Sequence, residues 1–244
     1  MPLLIHLCET LSEVQEWQEQ YGCSPVQWVD ELGLLQAKVL AAHCTHVEDD
    51  DMRRLERAGA AVRLAASPAA LREADAVVLP GVGAFRDAVR RLDEAGLSDA
   101  LRERIAAGVP FLGVCLGLQL LFESSAEGGR WPGLGVLGGT VERLRTTLKV
   151  PHIGWNDLEW RPAGAGMARG LPAPAVVYFV HSYAAVPADP GVVAATTDYG
   201  GPVVAAVARD NLWAVQFHPE KSSRVGLALL ANFVDLARKE MTSR

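Results

Sequence analysis

Apolar and polar positions follow two rhythms along this chain. From residue 39 onward, short apolar runs are interleaved with stretches in which apolar residues recur every three or four positions. The runs at 39–44, 61–64, 76–79 and 110–114 predict buried strands. The stretches at 48–58, 68–74, 87–95 and 99–107 predict helices, with Ser67 as a cap and Gly59 and Gly108 as stops. The run at 110–114 passes straight into a helical pattern over 116–124. Strands alternating with helices in this way predict an α/β fold built on a doubly wound, mostly parallel sheet. The second half is richer in strands, with β-like runs at 176–180, 192–197, 203–209 and 213–217. Asp210-Asn211 predicts a hairpin turn between the last two, and an amphipathic helix over 222–239 closes the chain. Before residue 39 the pattern changes: a short strand at Leu3–Leu7 is followed by a helical stretch over 12–35, interrupted near 22–25. The expected organisation is an atypical, mainly helical arm over residues 1–38 ahead of one domain over 39–244.

Composition narrows the class. Half of the 244 residues are hydrophobic and 21% are charged, which excludes disordered and collagen-like chains. A net charge of −6 argues against nucleic acid or an anionic membrane surface as the partner. That charge is uneven: residues 1–60 hold eleven acids and four bases, a net of −7, and the remainder is close to neutral. The shift suggests that the first quarter has a different origin. The cysteines, Cys8, Cys23, Cys44 and Cys115, form no CxxC pair and read as reduced thiols. No apolar run reaches the roughly 18 residues of a membrane span. The start, MPLLIHLCETL, has no basic leader and carries Glu9 inside its apolar stretch. A cytoplasmic protein is expected.

The chemistry-bearing segment is GVPFLGVCLGLQ at 108–119. An apolar strand ends at Cys115 and a helix begins at once, with Gly113 and Gly117 flanking the thiol in a G-x-C-x-G pattern. This is the thiol counterpart of the G-x-S-x-G nucleophile elbow, in which the tight strand-to-helix reversal leaves no room for neighbouring side chains. A sulfur at a helix N-terminus is expected to have a lowered pKa, which suits a nucleophile. Taken alone, the pattern equally fits a buried cysteine acting as a small hydrophobe. A thiol nucleophile needs a base, and His218 stands at the end of the 213–217 run in QFHPE. Residues two apart on an extended segment share a side, and Pro219 favours extension, so Glu220 is placed to orient the His218 ring. The turn LPGVGAF after the 76–79 strand supplies Gly81 and Gly83, whose flexible backbone can aim N–H groups at a developing oxyanion together with the N–H of Leu116. It lacks the G-x-G-x-x-G spacing and the lysine of nucleotide-binding loops.

Together these residues resemble the class I, triad-type glutamine amidotransferases: GVCLGLQ matches their nucleophile elbow and HPE their His–Glu pair. More closely, LPGVGAF at 79–85, LKVPHIGWN at 148–156, YFVHSY at 178–183 and VQFHPEKS at 215–222 resemble the glutaminase subunits of imidazole glycerol phosphate synthase, over about residues 60–244. The resemblance implies that Cys115 attacks the side-chain amide of glutamine, that His218 serves as base and then proton donor, and that Glu220 orients it. Gln119, Ser182 and Tyr183 would bind glutamine. Ammonia would pass to a separate (β/α)8 cyclase subunit in a heterodimer of histidine biosynthesis, with Lys149, His152, Trp155 and Asn156 facing that partner. The chemistry calls for no cofactor and no metal.

The first 60 residues depart from that family. Nothing matches its opening strand and D-Y-G-x-G-N turn. Instead IHLCETLSEV at 5–14, YGCSPVQWVDELGLL at 21–35 and KVLAAHCTHVEDDDMRRLERAGAAV at 38–62 resemble a fragment of the metal-dependent amidohydrolases, in particular the deaminases of S-adenosylhomocysteine and methylthioadenosine. That resemblance implies a metal ligand at His6, a proton-shuttling Glu9 and an active-site His43. The fragment covers two strands of an eight-stranded barrel and lacks the rest of the metal site, so deaminase chemistry is not expected. The expected junction lies near residues 58–62, with the strand at 39–44 and the helix at 48–58 standing in for the amidotransferase's missing first strand and helix. Two other readings remain at the level of sequence: an amidotransferase serving another synthase, and a non-catalytic fusion relic that only binds a partner. A metal held by His6, His43 and His46 is a third.

Overall fold

The computed structural model describes residues 3–7, 39–43, 65 and 67–242. The predicted helices at 12–35 and 48–58 and the predicted strand at 61–64 lie outside the described residues, as do Cys8, Glu9, Cys23, Cys44 and His46. The chain divides into two compact units, Met1–Leu64 and Ala65–Arg244. In the first, β1 (Leu3–Leu7) and β2 (Val39–His43) pair in parallel, Leu3 opposite Val39.

The second unit runs α1 (Pro68–Arg72), β3 (Val77–Leu79), α2 (Phe85–Glu94), α3 (Leu97–Ala106), β4 (Phe111–Val114), α4 (Leu116–Gln119), β5 (Phe122–Ser125), β6 (Trp131–Pro132), β7 (Leu137–Arg143), β8 (His152–Asp157), β9 (Glu159–Trp160), α5 (Ala165–Ala168), β10 (Val176–His181), β11 (Tyr183–Pro187), β12 (Val193–Asp198), β13 (Pro202–Arg209), β14 (Leu212–Val215) and α6 (Ser223–Thr242). Its largest sheet has the order β3-β4-β14-β13-β12-β9. The β3, β4 and β14 ladders are parallel, and those beyond are antiparallel. The sheet is therefore mixed, with its parallel part at the nucleophile strand. A four-stranded sheet, β11-β7-β5-β6, and the antiparallel pair β8–β10 complete the unit.

Side chains alternate across the large sheet and build a core on each face. Phe111, Val207, Leu212 and Ala214 join Phe85, Leu101 and Ile105 of α2 and α3. Leu112, Ala206, Trp213 and Val215 join Val225, Leu229 and Phe233 of α6. This is the doubly wound arrangement that the strand–helix rhythm predicts. Ser67 caps α1 by accepting from the Ala70 N–H at 3.3 Å. Asp210-Asn211 is the two-residue turn between β13 and β14, with Arg209 paired to Leu212. Asp210 has φ 52°, and the Asn211 amide donates to the carbonyls of Ile105 and Val109, tying the turn to the end of α3.

One predicted element is shorter than its pattern. The helix expected over 116–124 ends at Gln119, and Phe122–Ser125 is a strand paired with β6 and β7. Residues 116–122 are all buried, so this stretch has no polar face from which a helical period could be told from a strand's. Among the described residues no helix is long and apolar enough to cross a membrane.

Candidate active site

The reversal from β4 to α4 forces Cys115 to φ 53° and ψ −106°, a backbone that an L-residue adopts only under constraint. Two close approaches explain the flanking glycines. A Cβ on Gly113 would lie 2.8 Å from the Gly117 carbonyl oxygen, and one on Gly117 would lie 1.8 Å from the Leu79 carbonyl oxygen. The thiol thus stands at the C-terminal end of a parallel strand, where open α/β sheets place their reactive groups. The Cys115 N–H donates to Val215 O at 2.8 Å, which fixes the end of β4 against the end of β14.

The residue after Val215 was not foreseen from sequence. The Gln216 amide nitrogen lies 3.7 Å from Cys115 Sγ, and Gln216 Oε1 accepts from Gln119 Nε2 at 3.0 Å. Gln119 also donates to Tyr183 O at 3.1 Å. A signal existed: Gln216 directly follows the apolar strand that ends at Val215 and stands two residues before His218 in the segment VQFHPEKS.

His218 and Glu220 are both buried, with Nδ1 of the ring 2.6 Å from Glu220 Oε1. They meet differently from the extended segment expected from the sequence. His218 is the extended residue ahead of a 3-10 turn over Pro219–Lys221, and that turn folds Glu220 back onto the ring. The backbone is pinned on both sides: the His218 N–H donates to Tyr178 O at 3.0 Å, and Ser222 Oγ donates to His218 O at 2.6 Å while accepting from the Tyr178 N–H. Because the carboxylate accepts, Nδ1 carries the ring proton and Nε2 is the basic nitrogen. Cys115 lies within the electrostatic reach of both Glu220 and Lys221.

Burial reverses the expected activation of the thiol. Desolvation pushes the Cys115 pKa up from 9.0 to about 12, reinforced by the Glu220 charge and only partly opposed by the Leu116 N–H, Lys221 and Gln216. A four-residue helix supplies too little dipole to offset the loss of water. The thiol is therefore protonated at neutral pH in this state.

Gly83 has φ 90°, which its lack of a side chain permits, and Gly81 packs on Leu116. The Leu116 N–H, an expected oxyanion donor, is shared between the Cys115 sulfur and Gly81 O, the latter at 3.3 Å. Ser182 is half-buried between β10 and β11, and its carbonyl accepts from the Leu144 N–H.

The segment expected to face a partner divides in two. Trp155 is 53% exposed, and Lys149, Ile153 and Leu148 are exposed nearby in sequence. Trp155 meets Tyr178, opposite it on β10, edge-on at 5.7 Å. His152 instead has no exposed surface: its ring is stacked on Tyr199 at 3.8 Å and on Phe179 at 4.8 Å. Asn156 is half-buried and donates to Asp198 O at 3.0 Å.

Comparison with known proteins agrees with this geometry. Residues 50–236 match the model of the class-I glutamine amidotransferase family. Imidazole glycerol phosphate synthase subunit HisH of Nostoc punctiforme is 52% identical over 190 residues, 77% of this chain and 90% of that protein. The subunit of the same name from Moorella thermoacetica is 50% identical over 186 residues, 76% of this chain and 88% of its own length. A solved glutamine amidotransferase structure superposes with a TM-score of 0.56 at 22% identity, covering 97% of this chain and 99% of that one, which shows the shared fold. With the elbow, the buried His–Glu pair and the matched family spanning most of its length, the chain belongs to the class-I glutamine amidotransferases and is an enzyme of that family.

Proposed function

We propose that the protein is the glutamine-hydrolysing subunit of imidazole glycerol phosphate synthase, acting in histidine biosynthesis in the cytoplasm. The observation that carries this reading is the placement of Cys115 and the His218–Glu220 pair at the adjoining ends of β4 and β14. Glutamine binds against Gln119, Ser182 and Tyr183. Cys115 Sγ attacks the side-chain amide carbon while His218 Nε2 takes the thiol proton, and Glu220 stabilises the resulting imidazolium. The oxyanion is met by the Leu116 N–H and by N–H groups of the Gly81–Gly83 turn, once that turn releases Leu116. His218 then protonates the departing nitrogen, giving ammonia and a glutamyl thioester. Water, deprotonated by His218, hydrolyses the thioester to glutamate.

Ammonia passes to a (β/α)8 cyclase subunit, docked in a heterodimer on the face bearing Lys149, Trp155 and Asn156. The hydrogen bond from the Leu116 N–H to Gly81 O supports a turn that must rearrange before an oxyanion is met there. His152 supports the docking segment from within. The resemblance of residues 1–60 to a fragment of the metal-dependent amidohydrolases overlaps the matched family from residue 50 on, and supports a separate origin for the chain ahead of that point.

The test is glutamate release from glutamine, with and without an excess of the cyclase subunit and its nucleotide ligand, using Cys115→Ala as the blank. Cys115-dependent release that rises with the partner is expected. Release indifferent to the partner removes the docking part of the proposal, and no release under either condition removes the glutaminase reading.

A further inference from the structure

His152 and His181 are directly opposite each other in the β8–β10 ladder, so their side chains share one face. Their rings meet through His152 Nδ1 and His181 Nε2 at 3.1 Å. At one end of the pair, His181 Nδ1 lies 2.9 Å from Tyr183 O, the same carbonyl that accepts from Gln119. At the other end, His152 Nε2 lies 2.8 Å from Asn156 Oδ1.

A carbonyl oxygen only accepts, so the Tyr183 contact requires the proton of His181 on Nδ1. A neutral His181 then has a bare Nε2, and the contact between the rings requires a proton on His152 Nδ1. The contact to Asn156 Oδ1 would require one more, on His152 Nε2. Three contacts need three ring protons, and two neutral imidazoles hold two. Burial lowers the pKa of both rings, that of His181 to about 4, so no third proton is present at neutral pH. The shortfall falls where it is least costly, at the half-buried Asn156. Its amide can turn to give Nδ2 to His152 Nε2, releasing Asp198 O to solvent.

We propose that His181 is a positioning residue of the glutamine site, its Nδ1–H holding the Tyr183 carbonyl in place beside Gln119, and that His152 locks this tautomer by donating its own Nδ1–H to His181. The proposal deepens the glutaminase reading and rests on it. It links the docking segment to the thiol through one continuous set of contacts: Asn156, His152, His181, Tyr183 O, Gln119 and Gln216.

Two measurements test it on the full chain. Ring-nitrogen NMR at neutral pH, with isotopically labelled histidines assigned by single substitution, is expected to find the Nδ1–H tautomer at both positions. Nε2–H at His181 overturns the proposal, whatever the activity. Steady-state glutaminase kinetics with the cyclase subunit and its nucleotide ligand present are then compared for wild type and His181→Phe. Loss of one hydrogen bond on the carbonyl that holds Gln119 is expected to raise KM for glutamine about fivefold to tenfold, with kcat within about twofold. A folded variant with unchanged KM, or with a fall in kcat alone, overturns the positioning role. If His181→Phe does not fold, the tautomer decides. If wild type releases no glutamate, the glutaminase reading fails by itself, and the NMR result still judges the pair.

Discussion

The raised pKa of Cys115 makes a quantitative prediction about its reactivity. A thiol of pKa 9.0 is about 3% ionised at pH 7.5, whereas one of pKa about 12 is ionised about a thousandfold less. The more basic thiolate is also the better nucleophile, and a Brønsted slope of ~0.4–0.5 over three pKa units recovers about fifteen- to thirtyfold. Alkylation of Cys115 by iodoacetamide at pH 7.5 should therefore run about thirty- to sixtyfold slower than that of an ordinary thiol, before allowing for its burial. The pH dependence is the sharper readout. Deprotonation governs the rate, so its logarithm should climb with unit slope from pH 7 to 10, whereas an unperturbed thiol bends over near pH 9. Intact mass followed by peptide mapping separates Cys115 from the other three cysteines, and Cys115→Ala supplies the blank. A rate that levels off below pH 9 would show that the local N–H groups and Lys221 outweigh desolvation, and the reasoning from burial would be wrong.

Glu220→Gln should move two readouts in opposite directions. It removes a charge that raises the thiol pKa, so alkylation quickens, yet losing a buried 2.6 Å charge-assisted bond worth ~1.5–3 kcal/mol lowers kcat/KM for glutamine by about tenfold to a hundredfold or more. Turnover within threefold of wild type would remove Glu220 from the mechanism. Gly117→Ala places a Cβ 1.8 Å from a backbone oxygen and should destabilise the protein by ~3 kcal/mol or more, lowering Tm by roughly 6–12 °C. An unchanged Tm would mean that the elbow is looser than drawn. Trp155→Ala should leave Tm nearly unchanged while weakening binding of the cyclase subunit by more than about tenfold in titration calorimetry, because an exposed aromatic on the proposed docking face would be a typical anchor. Unaltered affinity would place the docking face elsewhere.

Much of this was legible in the sequence because the steepest constraints are local. A strand ending in G-x-C-x-G admits few backbones, and the 1.8 Å approach at Gly117 shows why. The Asp210-Asn211 turn and the Ser67 cap were readable for the same reason. Less legible were segments whose partners are distant. β7, Leu137–Arg143, carries two glycines and shows no clean alternation; its strand character comes from its neighbours β5 and β11. The same holds for β8, whose one fully buried position is His152, stacked on Phe179 and Tyr199, rather than an apolar residue. The thiol's pKa was misjudged because a sequence displays the helix that follows a cysteine and conceals the water excluded around it. Gln216 and His181 lie in the segments VQFHPEKS and YFVHSY, yet their roles could not be read there, because a polar residue at the end of an apolar strand shows its function only through its partners.

The adjacency of β4 and β14 also has a consequence in time. Cys115 and Gln216 touch although 101 positions separate them, and His218 and Glu220 come later still. As the chain leaves the ribosome, the nucleophile is made long before its base, and β14 must insert in the sheet between β4 and β13. Pairings of such long range form late, since loop closure precedes any gain from contact. A nascent or truncated chain therefore presents the elbow without the His218–Glu220 pair that serves it, and competence to cut glutamine arrives only with completion of the sheet. Glutaminase activity in such a molecule doubles as a report that folding has finished.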